Sequence, residues 1–445
     1  MTKKPETEIP TPKQNYVPPA SYDQWMVGKA AHFWKQLGPG LTTGAADDDP
    51  SGIATYSQTG SQFGFRFLWL APFTLPLMGV VQEMCARIGL VTGQGLAANI
   101  KHHYPRWVLY LCAALLFAAN SFNIGADLGA MAQGVQLLVP QMPFAVLVIG
   151  FSLLILILLI LMPYGKYARY LKWLTLVLLS YIFAALMVDL PWGQVFRHTL
   201  IPSFSFSKEQ ILLITAVLGT TISPYLFFWQ TSQEVEEEIL AGKKTLKARR
   251  LGNTPALIAD MRVDVWSGMF VSNLVMFFII AACAATLFPN GITNIKTASD
   301  AAAALQPFAG SKATLLFAIG IIGTGLLAVP ILAGSASYAI SESFGWKEGL
   351  YRKLKQASAF YGVIIISMLA GLIMNFVGLD PIKGLIYSAI LNGLIAPIII
   401  FLIVRLAGKK NIMGEYASGP WSKTIGWITV ILMTIASVAA IVSII

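Results

Sequence analysis

The stretch ADDDPSGIATYSQ, residues 46–58, interrupts an apolar segment that runs from residue 39 to residue 62. Three aspartates, a proline and a glycine stand where a membrane-spanning helix normally carries leucine, isoleucine and valine. An acidic side chain at the bilayer centre costs about 2.5–3.5 kcal/mol, so three in succession require a compensating cation. Pro50 removes a backbone hydrogen bond and disfavours helical geometry at Asp49. The stretch therefore predicts a broken membrane helix with a cation site at the break.

The composition indicates an integral membrane protein. Of the 445 residues, 56% are hydrophobic and only 12% are charged, whereas soluble domains carry about 25% charged residues. Eleven apolar segments are long enough to cross a bilayer as helices, so we expect an all-α polytopic fold. They cover residues 39–62, 67–91, 107–139, 143–162, 167–190, 208–240, 261–288, 311–340, 356–377, 381–405 and 423–445.

A second interrupted segment lies five spans after the first. GTTISPYLFFWQTSQ, residues 219–233, places Pro224 among small and polar residues in the middle of span 6. Backbone groups left unpaired in lipid are costly, so such breaks persist where they line a buried site. The matched pair predicts a LeuT-like inverted repeat of spans 1–5 and 6–10, with discontinuous spans 1 and 6. The alternative interpretation is two ordinary proline kinks.

The spans also set the expected domains and orientation. Counted over the loops, 24 Lys and Arg residues fall on one side and six on the other, which explains the net charge of +10 without nucleic acid. By the positive-inside rule, we expect a cytoplasmic N-terminus and an external C-terminus in the cell (inner) membrane. The predicted domains are an N-terminal tail (1–37), the first repeat (38–190), the second repeat (208–407) and an additional span 11 (423–445). Within the tail, residues 21–37 are expected to form a helix at the membrane surface, and an irregular linker is the alternative.

The intramembrane acids are the candidates for cation binding. Asp49 immediately precedes the break and is best placed for direct coordination. Consecutive helical residues point about 100° apart, so the three aspartates cannot all face one ion. Asp48 or Asp47 can face the cytoplasmic pathway or pair elsewhere, and a solvated turn is the alternative for the whole triplet. Asp127 in span 3 has no partner in its own helix and is a second functional candidate.

Other charged residues fit structural roles. Glu83 and Arg87 are four residues apart in span 2 and are predicted to pair on one helix face. A cluster of glutamates follows span 6, where a solvated helix end is expected and a cation vestibule is the alternative. Its members are Glu234, Glu236, Glu237 and Glu238.

No motif indicates an enzyme or a resident cofactor. The sequence has no phosphate-binding glycine loop, no zinc-type spacing of His and Cys, and no nucleophile elbow. The three cysteines lie in apolar stretches and are predicted to be packing residues. They are Cys85, Cys112 and Cys283.

The chain resembles the NRAMP divalent-metal transporters. GPGLTTGAADDDPSG (38–52), QEMCARIGLVTGQGLAANIKHHYPRW (82–107) and the broken sixth span carry the resemblance, which extends from about residue 38 to residue 405. It implies an inverted-repeat fold with metal bound between the unwound parts of spans 1 and 6. In that family the first-span motif is Asp-Pro-Gly-Asn. Here the ligand aspartate is matched by Asp49, but the ligand asparagine falls on Gly52.

The sixth span departs further from the family pattern. The motif Met-Pro-His is replaced by Ser223-Pro224-Tyr225, and a second family histidine aligns with Gln230. An alanine whose carbonyl binds metal in the family aligns with Thr220. The resemblance thus implies a metal site of Asp49, Gly52, Thr220 and Ser223, with Asp48, Tyr225, Gln230 and Asp127 along the pathway.

These departures favour a hard cation. Methionine sulfur is a soft ligand for Mn, Fe, Co and Cd, and Ser223 replaces it with oxygen. The small residues at Gly52 and Ser223 are expected to open space for Mg²⁺, which dehydrates reluctantly. The pattern is similar to the NRAMP-related magnesium transporter branch, with Mn²⁺ as a further substrate.

Proton coupling is not expected, because no histidine is left near the site. We therefore expect alternating access driven by the membrane potential, with a divalent cation as substrate, no cofactor, and a monomer in the bilayer. The alternatives are a proton-coupled Mn²⁺ or Fe²⁺ carrier using Asp49 or Asp127 as proton acceptor, a non-transporting metal sensor or scaffold, and an amino-acid carrier.

Overall fold

The apolar segments are helical in a computed structural model that describes residues 33–34, 36–186, 188–203, 205, 207–295, 313–378 and 380–444. Over these residues the chain contains helices and no strand. The chain from Gly38 onward forms one compact unit. Of the predicted tail and surface helix, the described residues are Phe33, Trp34 and Gln36, which are helical, and Leu37, which is not; the rest lie outside the described residues.

Spans 1 and 6 each consist of two helices, as predicted. Span 1 is Pro39–Asp47 followed by Pro50–Phe63, and span 6 is Lys208–Thr221 followed by Pro224–Leu240. The other spans are Leu70–Thr92 (span 2), Arg106–Leu138 (3), Phe144–Leu161 (4), Tyr164–Leu174 with Leu179–Leu186 (5), Pro255–Thr286 (7), Ala313–Phe344 (8), Ser358–Met374 (9), Pro381–Gly408 (10) and Pro420–Ile444 (11). Short helices outside the spans are Leu96–His103, Trp192–Leu200, Leu246–Leu251 and Lys410–Met413.

The all-helical polytopic fold is confirmed, with differences at particular spans. By length and composition, eight stretches of the described chain are long and apolar enough to cross a membrane, and one of them is the two halves of span 6 taken together, Lys208–Leu240. The remaining spans are span 1, which is broken; span 5, which a 3-10 turn over Thr175–Leu178 divides; and span 9, which has only 17 residues. Span 7 begins at Pro255, earlier than the predicted residue 261, because Thr254 caps the helix there.

Several helices begin with a polar residue followed by proline. Asp49, Thr254 and Asp380 each accept a hydrogen bond from a backbone N–H of the first turn, and each precedes a proline. Proline fits the first helical position because its missing N–H would have no partner there. Ser223 precedes Pro224 in the same way, but its side chain does not cap the helix. The sequence pattern therefore places both breaks at Asp49-Pro50 and Ser223-Pro224.

The broken spans lie among other helices rather than at the periphery. The first half of span 1 packs on span 7, and the first half of span 6 packs on span 10. Glycines permit this approach: a Cβ on Gly44 would overlap the backbone of Gly268, and one on Gly219 would overlap that of Gly393. Spans 4 and 11 are the least enclosed of these helices: only 22% and 33% of the most apolar 18-residue stretch of each is buried. The breaks are thus enclosed by protein, as unpaired backbone in a membrane requires.

Candidate metal site at the two helix breaks

Each break consists of two non-helical residues before a proline. In span 1 they are Asp48 and Asp49, and in span 6 they are Ile222 and Ser223. A helix end leaves up to four carbonyls and a helix start up to four N–H groups without intrahelical partners. The two breaks therefore supply backbone acceptors and donors next to buried acidic side chains.

The Asp49 carboxylate is held by two donors. Its Oδ1 accepts the N–H of Gly52 at 2.7 Å, and its Oδ2 accepts Nδ2 of Asn123 at 2.8 Å. The Oδ1 atom of Asn123 in turn accepts the hydroxyl of Ser388 at 2.5 Å. Asp49 is 1% exposed. A chain of hydrogen bonds through spans 10, 3 and 1 thus fixes the carboxylate while leaving lone pairs on both oxygens.

Asp47 and Asp48 have different neighbours from Asp49. Oδ2 of Asp47 accepts the hydroxyl of Ser272, in span 7, at 2.7 Å. Its Oδ1 and both carboxylate oxygens of Asp48 have no hydrogen-bond partner, although both residues are 0% exposed. The three aspartates therefore do not converge on one point. Across the described residues, no group of three or more His, Cys, Asp or Glu side chains is arranged to hold a metal.

Asp127 is a buried acid whose two carboxylate oxygens have no hydrogen-bond partner. It lies one turn after Asn123 on span 3, the residue whose side chain donates to Asp49. Asn123 and Asp127 are four residues apart and share a helix face. Span 3 therefore contributes a donor that holds Asp49 and an acceptor that is free.

The span 6 residues are more constrained than expected. The Ser223 hydroxyl donates to the carbonyls of Gly219 and Thr220, at 2.6 and 2.8 Å, so it satisfies the end of the preceding helix. A Cβ added to Gly52 would lie 2.9 Å from the Asp47 carbonyl oxygen and 3.2 Å from Oγ1 of Thr220. The prediction of open space at Gly52 is therefore wrong for this conformation, because the Asp47 carbonyl of span 1 and the Thr220 side chain of span 6 lie next to that position.

Two tyrosines connect the broken spans. The Tyr225 hydroxyl donates to the Ala46 carbonyl at 2.7 Å, and the Tyr56 and Thr221 hydroxyls lie 3.2 Å apart. The Thr221 hydroxyl is also 3.9 Å from Sδ of Met276. Each tyrosine thus joins the second half of one broken span to the end of the first half of the other.

Gln230 lies away from the break along span 6. It is six residues after Pro224, which corresponds to about 9 Å along the helix axis. Its Nε2 donates to Oε1 of Glu234 at 2.8 Å, and its own Oε1 has no partner. The hydrogen bonds of Gln230 therefore join it to the glutamate cluster rather than to Asp49.

The predicted pairing of Glu83 with Arg87 is confirmed. Glu83 also accepts Nε of Arg262 at 3.0 Å and Nε1 of Trp266 at 2.8 Å, so the pair joins spans 2 and 7. Between Arg262 and Trp266 on span 7, Asp264 accepts the N–H groups of Gly38, Gly40 and Leu41 at 2.7, 2.7 and 3.0 Å. Span 7 thereby anchors the start of span 1.

The four glutamates lie in the last turns of span 6, and they do not form the solvated helix end that was predicted. Three of the four are buried, and Glu236 accepts the Tyr338 hydroxyl at 2.5 Å and the Leu350 N–H at 2.7 Å. Glu236 also borders a cavity of about 360 Å³ on the predicted cytoplasmic side. In the loop after span 8, burial and the neighbouring Glu342 raise the pKa of Glu348 to about 9. The cavity lining includes Gln94, Ser232, Glu236, Arg249, Glu342 and Glu348.

Sequence reasoning missed four residues around the breaks. The spacing of Asn123 from Asp127 is a signal within one helix that indicates a shared face. Ser272, Ser388 and Asp264 carry no comparable local signal, since each acts on a different span. The cysteines are free and buried, in agreement with their predicted packing role.

Comparison with known proteins identifies the family. The family model described as natural resistance-associated macrophage protein-like (Nramp) matches residues 40–443. A curated relative, the divalent metal cation transporter MntH of Aeromonas hydrophila, is 25% identical over 409 residues, which is 89% of this chain and 93% of the relative.

Solved structures share the fold. The manganese transporter of Eremococcus coleocola, crystallised with an aromatic bis-isothiourea compound, superposes with a TM-score of 0.71 at 18% identity, covering 96% of this chain and 89% of its own. The nucleobase-cation-symport-1 transporter Mhp1 superposes with a TM-score of 0.52 at 14% identity, covering 92% and 91%. The LeuT-like architecture is thus confirmed. Because the family model spans nearly all of it, the chain belongs to the Nramp family.

Proposed function

We propose that the chain transports divalent metal cations across the membrane, with Mg²⁺ as the main substrate and Mn²⁺ as a second one. The observation that carries the proposal of a hydrated cation is a set of buried carboxylate oxygens without hydrogen-bond partners around the breaks. They include Oδ1 of Asp47 and both carboxylate oxygens of Asp48 and Asp127. Buried acceptors require donors, and a hydrated cation presents only water hydrogens to its surroundings.

The proposed metal ligands are Asp49 and the backbone and hydroxyl oxygens of Gly52, Thr220 and Ser223. Their donor set is hard, which favours Mg²⁺ and Mn²⁺ over softer metals. Mg²⁺ keeps several of its waters in protein sites, so a single fixed carboxylate with surrounding acceptors suits it. The pathway beyond the site is proposed to include Asp48, Asp127, Tyr225 and Gln230.

Alternating access driven by the membrane potential, without proton coupling, completes the proposal. A divalent ion gains about 4.6 kcal/mol per 100 mV, twice the value for a single charge. This energy corresponds to roughly a thousandfold accumulation. Tyr225 and Gln230 replace side chains that would exchange protons near neutral pH. We further propose a monomer with its N-terminus in the cytoplasm and its C-terminus outside.

Proton-coupled Mn²⁺ transport is the competing function. The relative of known structure is named as a manganese transporter, and Asp127 offers an unpartnered carboxyl as a proton acceptor. The two functions differ in the metal carried and in the proton flux that accompanies it.

Reconstitution in proteoliposomes tests the proposal. With an inside-negative potential set by a potassium gradient and valinomycin, Mg²⁺ should enter without acidification of the lumen. Asp49→Asn keeps a good helix cap at that position and should abolish saturable uptake, whereas Asp49→Ala also loses the cap. Mn²⁺ uptake with stoichiometric acidification and no Mg²⁺ uptake would establish the competing function. Unchanged uptake by Asp49→Asn would exclude Asp49 as a ligand.

A further inference from the structure

From Lys166 to Phe183, the exposed side chains of span 5 form one continuous stripe. They recur every three or four residues, which places them on one face of the helix, and the interval of three across Thr175–Leu178 fits the 3-10 turn there. The members of this span 5 stripe are Lys166, Arg169, Trp173, Leu176, Leu179 and Phe183. The opposite face of the first helix of the span is buried. Span 5 therefore presents a single face to its surroundings.

The chemistry of the span 5 stripe changes in one direction along the helix. Two basic side chains are followed by the Trp173 indole, which is 58% exposed, and then by apolar side chains that end with Phe183, which is 60% exposed. A bilayer offers the same order of environments from its surface inward, because basic residues lie at the headgroups, tryptophan at the interface and apolar residues in the hydrocarbon. The stripe therefore matches one leaflet along its length, with Lys166 and Arg169 at the headgroups.

The basic end of the stripe lies in a part of the chain without acidic residues. Between Asp127 and Asp189 the sequence contains no Asp or Glu, so the charges of spans 4 and 5 are those of three basic residues only. They are Lys166, Arg169 and Lys172. Within the ranges that the structure describes, neither Lys166 nor Arg169 takes part in an ion pair. The exposed charge at this end is therefore positive and complementary to an anionic headgroup.

The helix that carries these basic residues contacts both broken spans. Its first residue, Tyr164, donates a hydrogen bond of 3.0 Å to Oε1 of Glu237, in the second half of span 6. The same helix packs against Pro39–Asp47, the first half of span 1. Tyr167 and Leu171 are buried on this inner side. A ligand on the outer face of the helix therefore binds directly behind its contacts with spans 1 and 6.

We propose that the span 5 stripe binds an anionic phospholipid from the leaflet at its basic end. The Lys166 ammonium and the Arg169 guanidinium contact the lipid phosphate, which a guanidinium can bind through two parallel hydrogen bonds. The Trp173 ring lies beside the glycerol backbone, and one acyl chain follows the apolar part of the stripe. A lipid that binds the folded helix also stabilises it, and with it the contacts to spans 1 and 6. Lipid binding at the stripe does not depend on which metal the protein carries.

Quenching of tryptophan fluorescence by brominated lipids tests the site. The purified full-length protein is placed in phosphatidylcholine nanodiscs with increasing fractions of brominated phosphatidylglycerol or brominated phosphatidylcholine. The chain has 11 tryptophans, so each protein is measured with and without Trp173→Phe, and the difference gives the Trp173 signal. The test variant is Lys166→Gln/Arg169→Gln. Its matched control is Arg106→Gln/Lys410→Gln, which removes two exposed basic residues from the same predicted side of the membrane.

The expected result is a preference of Trp173 for the anionic lipid. In wild type, brominated phosphatidylglycerol should reach half-maximal quenching at a lower mole fraction than brominated phosphatidylcholine, by about fivefold for each of the two basic residues. The test variant should lose this preference and the control pair should keep it. Phosphatidylglycerol should also raise the melting temperature of wild type and of the control pair, but not that of the test variant.

Three outcomes would overturn the lipid site. Equal quenching by the two lipids in wild type would show that the stripe contacts bulk lipid without selection. Preference lost to the same extent in the control pair would assign it to the general surface charge instead. If neither lipid quenched Trp173, another protein surface, such as a second copy of this chain, would cover the stripe in place of lipid.

Discussion

The hydroxyl of Tyr225 donates a 2.7 Å hydrogen bond to the carbonyl oxygen of Ala46, one residue before the first half of span 1 ends. That carbonyl belongs to a helix end, where it has no intrahelical partner. Tyr56 makes the reciprocal contact with Thr221 near the end of the first half of span 6. Tyr225 thus connects the second half of span 6 to the first half of span 1, at the position that aligns with a histidine in the resembled family motif.

Removing that connection should cost stability and alter transport. Tyr225→Phe leaves the buried Ala46 carbonyl without its partner, so we expect the free energy of unfolding to fall by about 1–3 kcal/mol. Tyr361→Phe is a matched control, because Tyr361 donates a 2.7 Å bond to the Arg352 carbonyl away from the breaks. Thermal unfolding and Mg²⁺ uptake are compared. Identical uptake by both variants would contradict a role for Tyr225 in the transport cycle.

Asn123 should determine how tightly Asp49 binds a cation. Asn123→Ala removes the donor to Oδ2 of Asp49 and the acceptor for Ser388. Loss of an orienting partner typically lowers metal affinity by about 10- to 100-fold, and we expect a decrease of that size in Mn²⁺ titrations. Asn120→Ala is the control on the same helix, since Asn120 donates to Leu332 and Ser335 instead. Equal effects of the two variants would show that only packing was lost.

Restoring a sulfur at the break should shift the metal preference. Ser223→Met is expected to favour Cd²⁺ and Mn²⁺ over Mg²⁺ in competition uptake assays, because a thioether is a soft ligand. Adding Gly52→Asn should strengthen the shift only if the backbone moves, since a Cβ there lies 2.9 Å from the Asp47 carbonyl. Met276→Leu removes the thioether already present near Thr221 and serves as the control. An unchanged selectivity ratio in Ser223→Met would refute the hard-ligand argument.

Glu348 should make stability depend on pH. Its pKa rises from 4.5 to about 9 through burial and the neighbouring Glu342, so the folded state holds a proton that the unfolded state releases. The stability gained by burying the neutral Glu348 carboxyl is fully present below pH 4.5 and is lost as the pH rises toward 9. Glu348→Gln should therefore gain melting temperature relative to wild type between pH 6 and pH 8.5. Glu415→Gln is the control variant, because Glu415 is exposed. If the difference in melting temperature between Glu348→Gln and wild type became smaller as the pH rises, the assignment to Glu348 would be contradicted.

The positions of the spans and of both breaks were predictable because the signals are local. Runs of apolar residues mark the helices, and the pairs Asp49-Pro50 and Ser223-Pro224 combine a cap with a residue that cannot continue a helix. The pairing of Glu83 with Arg87 follows from a spacing of four within one helix.

Contacts between spans were not predictable in the same way. Asp264, Ser272 and Ser388 act on span 1 or span 3 from positions more than 200 residues away along the chain. The side chain at position 52 is small in the sequence, but the space it leaves is filled by the Asp47 carbonyl and Thr220. Glutamates at a helix end suggest solvent, whereas Glu236 is buried under the loop that follows span 8.

The break in span 1 also gives three chemically identical residues different electrostatic surroundings. Asp49 caps the second half of the span, at the positive end of a helix dipole, where a carboxylate is favoured by about 0.3–1 kcal/mol. Asp47 and Asp48 end the first half, at the negative end of another dipole, where the same charge is disfavoured. Moving the break by a single residue would exchange these surroundings, so the position of Pro50 decides which aspartate the backbone stabilises.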